Sequence, residues 1–107
     1  MAKKIKEVIW TIPAKQDLKD IYAYLSEISE TIAYRQVIKI LDKTALLEMG
    51  FDELGQADPL LKHTRKNFRY LVSGNYKIIH RVDDNAIHLI AVFDTRQNPS
   101  KLKKKIR

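Results

Sequence analysis

The sequence of 107 residues has no cysteine and only three glycines. The missing cysteine excludes disulfides, thiolate nucleophiles and thiolate metal sites, and it fits a reducing compartment. Three glycines exclude a glycine-rich phosphate-binding loop. No apolar run approaches the roughly 20 residues that cross a bilayer, and Met1–Lys6 does not open a secretory signal. We therefore expect a soluble, cytoplasmic protein that does not contact a membrane.

Acidic residues are scarce in the second half of the chain. Residues 1–58 carry 8 Lys or Arg against 10 Asp or Glu, whereas residues 59–107 carry 12 against 3, which gives the net charge of +7. A basic half of this kind attracts polyanions or an acidic protein, although a merely soluble basic surface would have the same composition. The length and the 45% hydrophobic content predict one folded domain over residues 1–107.

The hydrophobic pattern predicts an α+β fold with the order β-α-α-β-β-β. A β-prone opening ends at Pro13, a first helix runs to about Ile28, and Ser29 caps a second helix that ends near Gly50. Because the link around Ser29 is short, we expect an antiparallel helical hairpin packed on a mainly antiparallel four-stranded sheet. The last three strands are predicted at 68–72, 76–82 and 86–93, after a loop over 52–66 and before a basic C-terminal tail.

The second helix carries two apolar rows. The main row, which we expect to face the core, consists of Ala33, Val37, Ile40, Leu41, Thr44 and Leu47. A second row consists of Tyr34, Ile38, Ala45 and Met49. Wide apolar faces are usual in two-layer domains, so the second row is either more core or a groove for a partner.

Tight turns at 74–75 and 84–85 would fix which strand residues share a face. The face toward the helices would then hold Leu71, Ile78, His80, Val82, Ile87, Leu89 and Ala91. The other face, with no visible cover, would hold Phe68, Tyr70, Lys77, Ile79, Arg81, His88 and Ile90. The sequence therefore predicts an open sheet face that is apolar at its centre and cationic around it.

The sequence shows no metal-ligand spacing and no nucleophile elbow, so we expect neither a metal nor a cofactor. The chemistry that remains is metal-free cleavage of RNA, which needs proton transfer and cations on the phosphorane. His88, opposite Arg81 and near Lys77, could supply part of that set, although a histidine on a sheet is more often structural. A wider set that could contact a polyanion, or that is simply solvated, consists of Arg65, Arg69, Lys77, Arg81 and Arg96.

Three segments resemble the RelE/ParE superfamily of toxins from bacterial toxin-antitoxin pairs. Residues 14–24 are similar to the helix-one pattern A-x-x-D-L-x-x-I-x-x-Y, through Asp17, Leu18, Ile21 and Tyr24. Residues 68–82, FRYLVSGNYKIIHRV, resemble the hairpin yR-x-L-v-x-G-x-Y-x-I-x-Y-R-V, and residues 91–99, AVFDTRQNP, occupy the place of the exit V-x-H-x-R-x-x-P. The resemblance covers nearly the whole chain.

This resemblance implies a growth-inhibiting, plasmid-stabilising toxin that is neutralised by a cognate antitoxin, whose acidic segment folds on binding. The second apolar row is then the candidate antitoxin-binding surface. The superfamily divides into gyrase inhibitors like ParE and ribosome-dependent mRNA endonucleases (mRNA interferases) like RelE. The RelE branch would use Lys77 and Arg96 to stabilise phosphate charge, with Arg81, and His88 to move the proton.

Two departures bear on the choice between the branches. The chain has no tyrosine after Tyr76 to match the tail tyrosine of the RelE branch, and Asp94 stands where the ParE-like exit has histidine. Arg81 and the long helical hairpin resemble ParE more closely. We therefore expect a ParE-like, non-enzymatic gyrase inhibitor, with an mRNA endonuclease as the alternative and an inactive co-regulator as a third interpretation.

Overall fold

A computed structural model of the protein describes residues 6–49, 56–57 and 68–96. Two helices lie between a short first strand and the remaining strands, which confirms the predicted α+β order. The elements are β1 (Glu7–Trp10), α1 (Ile12–Ser26), α2 (Glu30–Glu48), β2 (Gln56–Ala57), β3 (Phe68–Ser73), β4 (Tyr76–Val82) and β5 (Ala86–Asp94). The predicted C-terminal tail and Arg65 lie outside the described residues.

Both helices begin at capping hydroxyls. The Thr11 hydroxyl accepts the Ala14 N–H at 3.3 Å, and Pro13 sits in the first turn of α1, where its missing N–H costs nothing. The Ser29 hydroxyl accepts the Ile32 N–H at 3.3 Å, as its position before α2 predicts. The short connection makes α1 and α2 a helical hairpin.

The sheet has the strand order β1-β5-β4-β3-β2. β1 runs parallel to β5, and every other neighbouring pair is antiparallel. The four longer strands are those predicted, whereas β2 falls in the segment predicted as a loop. A strand of two residues, paired only with Arg69 and Tyr70, is too short to leave an alternating pattern in the sequence.

The tight turn between β3 and β4 is present, and Gly74 adopts the left-handed φ of 60° that this turn requires. The predicted pairs Leu71 with Ile78 and Arg81 with His88 are both formed. A bulge at Ile90 then shifts the register, so that Ile79 pairs with Ala91. The prediction that Ala91 faces the helices is therefore wrong, because one extra residue moves every later side chain of β5 to the opposite face.

Both faces of the sheet are buried at their centres. On the helix side, Ile40 and Leu47 of α2 pack with Ala14 of α1 against Ile78 and Leu89. On the other side, a second cluster consists of Phe68, Ile79, Ala91 and Phe93, with Tyr70 and Ile90 packed against it. Ile79 is 0% and Phe93 4% exposed, so the expectation of an uncovered apolar centre is wrong.

The two rows of α2 have different environments. Ala33, Ile40, Thr44 and Leu47 are buried, as predicted for the main row. Leu41, assigned to that row, is instead 38% exposed, because it lies one residue, and so about 100° of helix rotation, beyond Ile40.

Among the described residues, neither α1 nor α2 combines the length and the apolar composition of a membrane-spanning helix.

Candidate functional site

α1 is tied to the sheet by a buried carboxylate. The pairing of β1 with β5 ends at Trp10 and Leu89. Beyond this pair, the Val92 N–H of β5 points away from β4, and no strand among the described residues accepts it. Asp17 of α1 accepts this N–H at 3.0 Å and is only 8% exposed. This bond satisfies a buried backbone donor and fixes the position of α1 beside the end of β5.

An open cavity of about 530 Å³ lies beside this contact, between α1 and the ends of β4 and β5. Its walls combine two tyrosine rings, three carboxylates and one guanidinium. The lining residues are Asp17, Asp20, Ile21, Tyr24, Tyr76, Val92, Phe93, Asp94 and Arg96. Three carboxylates against one guanidinium make the lining acidic, although the chain as a whole carries a net charge of +7.

Arg96, a predicted anion contact, is held by Asp94 at the rim of this cavity. Its Nε lies 2.9 Å from one Asp94 oxygen and its Nη2 lies 2.8 Å from the other, and its backbone N–H also donates to Asp94. These bonds lower the pKa of Asp94 and raise the pKa of Arg96. Burial, and secondarily the Asp94 charge, raise the pKa of the nearby Tyr76 phenol. The Asp94 carboxylate therefore neutralises the charge of Arg96, which the sequence predicted as a phosphate contact.

A second polar group closes the turn between β4 and β5. One Asp83 oxygen accepts the N–H groups of Asn85 and Ala86 at 2.9 and 2.7 Å. The other oxygen lies 3.0 Å from His88 Nε2 and 3.8 Å from Arg81 Nη1. The two backbone N–H groups, and then His88, lower the Asp83 pKa to about 2. His88, the predicted proton carrier, is therefore bound to a turn carboxylate.

The remaining predicted cations lie in separate places. Lys77 sits with its ammonium 4.5 Å from the centre of the Tyr70 ring, a cation-π contact. Arg69 pairs with His80 across the strands, so these two side chains share the face opposite to Lys77. His80 is fully buried, as its predicted place on the face toward the helices implies, and its Nδ1 lies 3.3 Å from the Ile78 carbonyl oxygen.

The structure thus brings only part of the predicted RNA-cleaving set together. Arg81 and His88 are cross-strand partners, but Lys77 lies four positions along β4, roughly 13 Å away. Arg96 follows the Tyr76–Asp94 pair, at the other end of β4 from Arg81. Among the described residues there is also no group of three His, Asp or Glu side chains that could hold a metal. The structure therefore does not assemble Lys77, Arg81, His88 and Arg96 at one point.

The predicted antitoxin-binding row is accessible. Tyr34 is 62%, Ile38 36% and Met49 65% exposed, and Ala45 is exposed beside them. The alternative that this row packs in the core is therefore wrong. The exposed Leu41 extends the row, and a groove of about 270 Å³ adjoins it, lined by Leu18, Lys19, Tyr22 and Val37.

Three features of these sites were not predicted. The bond of Asp17 to the Val92 N–H joins residues 75 positions apart, so no local sequence pattern predicts it. The Asp83 turn has a visible signal, because Asp followed by Asp-Asn before a strand is a common carboxylate-closed turn. For the Asp94–Arg96 pair, the sequence signal is the presence of two opposite charges two residues apart, which could have indicated an ion pair.

Comparisons with known proteins agree with this architecture. Residues 8–99 match the family described as the ParE toxin of the type II toxin-antitoxin system parDE. The search of curated proteins finds no match. Among solved structures, a chain of the chromosomal ParDE toxin-antitoxin system from P. aeruginosa is similar, with a TM-score of 0.67 and 22% identity. The alignment covers 84% of this chain and 96% of that one, and it shows a shared fold.

Proposed function

This chain belongs to the ParE family of toxins from type II toxin-antitoxin systems, and we propose that it inhibits growth in the cytoplasm by poisoning DNA gyrase. The observation that carries the proposal is the match to the ParE family over residues 8–99. In this account the toxin has no catalytic residues of its own, and binding alone changes the activity of the target.

The scattered positions of the candidate catalytic groups favour binding over RNA cleavage. General acid-base cleavage requires the proton carrier and the phosphate-binding cations within hydrogen-bond reach of one reacting group. Here His88 is held by Asp83, Arg96 is held by Asp94, and Lys77 lies over Tyr70. Each predicted group already has a partner elsewhere on the protein.

The antitoxin is the established class of partner for this family, and we propose that it uses two surfaces. The second half of the chain, with 12 basic and 3 acidic residues, would attract an acidic segment. The exposed row Tyr34, Ile38, Leu41, Ala45 and Met49 would receive the apolar face of an antitoxin helix. Charge would then speed the encounter, and apolar contact would hold the complex.

Induction of the toxin without its antitoxin tests the choice of target. We expect growth arrest with gyrase-dependent DNA breaks and intact transcripts. Transcripts cut on the ribosome, with intact DNA, would overturn the proposal in favour of an mRNA endonuclease. Harmless expression of the folded protein would instead indicate a co-regulator.

The second part of the proposal is that the sheet face opposite to the helices contacts the target. Lys77 and Arg81 lie on this face, beside the second cluster. We expect the double substitution Lys77→Ala and Arg81→Ala to relieve growth inhibition while the fold is retained. The matched control is Lys39→Ala with Lys43→Ala, which removes the same charge from the exposed side of α2. Equal toxicity of both folded double variants would remove this face from the target-binding surface.

A further inference from the structure

The three segments by which the chain resembles the toxin superfamily meet at one place, the open cavity between α1 and the ends of β4 and β5. The first segment contributes Asp17, Ile21 and Tyr24, the hairpin contributes Tyr76, and the exit contributes Asp94 and Arg96. The volume of about 530 Å³ is that of a site for a small ligand or for a partner's side chain. Neither the exposed row of α2 nor the pair Lys77 and Arg81 lines this cavity, so the functions proposed above leave it without a role.

Two tyrosine rings line the cavity from opposite layers of the protein. Tyr24 stands on α1 and is 58% exposed, whereas Tyr76 begins β4 and is only 4% exposed. One ring is therefore accessible at the helix side, and the other is fixed in the sheet side. Aromatic rings attract cations to their faces, and they also stack on planar cations.

A carboxylate lies beside the accessible ring. Asp20 comes four residues before Tyr24, which places the two side chains one turn apart on the same side of α1. Asp20 is exposed, and one of its oxygens accepts the Gln16 side-chain amide at 2.8 Å. An amide is a neutral donor, so this bond orients the carboxylate without cancelling its charge. A cation stacked on Tyr24 would have an anionic acceptor within reach.

The one guanidinium in the lining does not repel such a cation. Arg96 is neutralised by the two-point pair with Asp94, at 2.9 and 2.8 Å. Three carboxylates against one guanidinium leave the lining with a formal charge of −2. An anionic ligand, which the charge of the whole chain would attract, would therefore be repelled inside the cavity. The charges of the lining select a cation.

The combination of rings and carboxylates favours a guanidinium over an ammonium group. A guanidinium is planar and weakly hydrated, so it can stack on a ring and donate to a carboxylate at the same time. An ammonium is compact and strongly hydrated, and it gains less from a ring at the edge of solvent. The net charge of +7 opposes the approach of either cation, but physiological salt screens distant charges beyond about 8 Å.

We propose that the cavity between α1 and the ends of β4 and β5 binds a guanidinium group, which stacks on Tyr24 and donates to Asp20. The group belongs either to an arginine side chain of a protein partner or to a small guanidinium compound. This binding is separate from the apolar contact proposed for the outer row of α2. It also does not depend on the identity of the toxin's target.

Amide chemical shifts of the isotope-labelled full-length chain test the proposal, with ethylguanidinium as the probe. We expect saturable shifts at the cavity amides, including those of Val92 and Phe93. Ethylurea has the same shape without the charge, and propylammonium has the charge without the plane. Each should bind at least about fivefold more weakly than ethylguanidinium. An affinity of propylammonium equal to that of ethylguanidinium would overturn the proposal, as would the absence of shifts at the cavity.

Two substitutions with matched controls test the residues that hold the ligand. Asp20→Asn should weaken ethylguanidinium binding at least about fivefold, and Tyr24→Leu at least about threefold. Asp42→Asn on α2 removes the same charge, and Tyr22→Leu removes a tyrosine from the same helix, but neither residue lines the cavity. Both controls should stay within about twofold of the original protein. Circular dichroism checks that each variant is folded, and equal weakening by a substitution and its control would overturn the assignment.

A peptide comparison identifies the source of the group. Acetyl-Gly-Arg-Gly-amide that binds more tightly than ethylguanidinium, and more tightly than acetyl-Gly-Lys-Gly-amide, would support an arginine of a protein partner. Tighter binding of ethylguanidinium than of the arginine peptide would support a small compound. Equal binding of the arginine and lysine peptides at the cavity would overturn the choice of a guanidinium. Because these measurements use the toxin alone, their failure would leave the proposed action on gyrase untouched.

Discussion

The helical layer and the sheet use apolar side chains in different ways. The sheet is buried at the centre of both faces, where Ile78 and Ile79, which face opposite directions on β4, are both fully buried. The helical hairpin is buried on one side only, and its outer side exposes Tyr34, Met49 and Ile28 at more than 60% each. The apolar side chains of the sheet therefore hold the fold together, whereas those on the outer side of the helices are available for partners.

This difference separates stability from recognition along the sequence. A buried side chain adds to stability through burial and close packing, and its loss leaves a cavity. An exposed apolar side chain adds little to the stability of the isolated protein, yet it adds to the affinity of whatever covers it. Substitutions in the two regions should consequently change different measured quantities.

The largest effect on stability is expected from Ile79→Ala, at the centre of the second cluster. Because Ile79 is 0% exposed and packs with Phe68, Ala91 and Phe93, the free energy of unfolding should fall by about 2–5 kcal/mol. The matched control is Ile38→Ala on the outer row, where the loss should be about 1 kcal/mol or less. Urea unfolding of both variants measures the difference, and equal losses would contradict the comparison.

The next effect is expected where the two layers are joined. Asp17→Ala removes the acceptor of the Val92 N–H and leaves a buried donor without its bond, so stability should fall by about 1–3 kcal/mol. Hydrogen exchange should show faster exchange of the Val92 amide in particular. Asp20→Ala, one turn along α1 and exposed, is the control. An unchanged Val92 exchange rate would show that Asp17 does not tie the helix to the sheet.

A smaller effect is expected at low pH from the turn between β4 and β5. The Asp83 pKa is about 2 in the folded protein, below the ordinary value of about 3.9. Its contribution to stability is therefore complete above pH about 4 and is lost as the pH falls toward about 2. In Asp83→Asn, the free energy of unfolding should therefore change less as the pH falls from about 4 toward about 2.

The control for this measurement is Asp84→Asn, which removes an equal charge from the neighbouring turn residue. A difference between the two variants reports the hydrogen bonds of Asp83 to Asn85, Ala86 and His88, and not the net charge. If the free energy of unfolding fell equally with decreasing pH in both variants and in the original protein, the stabilising role of Asp83 would be contradicted.

The smallest effect on stability is expected from Tyr34→Ala. The side chain is 62% exposed, so the free energy of unfolding should change by about 0.5 kcal/mol or less. Binding of the cognate antitoxin, measured by calorimetry, should nevertheless weaken. An antitoxin affinity equal to that of the original protein would remove this part of α2 from the antitoxin interface.

The fold was predictable because its signals are local. The cap at Ser29, the turn at Gly74 and the alternation of β3 and β4 each follow from neighbouring residues. The bulge at Ile90 was not predictable, because a bulge adds one residue without changing the composition of the strand. Ala91 and Leu41 were misplaced for related reasons, since a shift of one residue changes the face of a strand and rotates a helix position by about 100°.

The candidate site was less predictable than the fold. The pairing of Arg81 with His88 follows from the register, and the structure has it. The ion pairs of Arg81 with Asp83 and of Arg96 with Asp94 were not predictable. They depend on side-chain directions at strand ends, which the hydrophobic periodicity does not give. The exposure of Tyr34 and Met49 depends on what packs against α2, and a single helix pattern does not show that either.

The central claim, that this ParE-family chain acts by poisoning gyrase, is tested most directly with purified components. Purified gyrase, ATP and supercoiled plasmid are incubated with the toxin, and the DNA is then analysed for protein-linked double-strand breaks. The account predicts breaks that increase with toxin and disappear when the cognate antitoxin is added. Unbroken plasmid and unimpaired supercoiling in the presence of folded, growth-inhibiting toxin would contradict it.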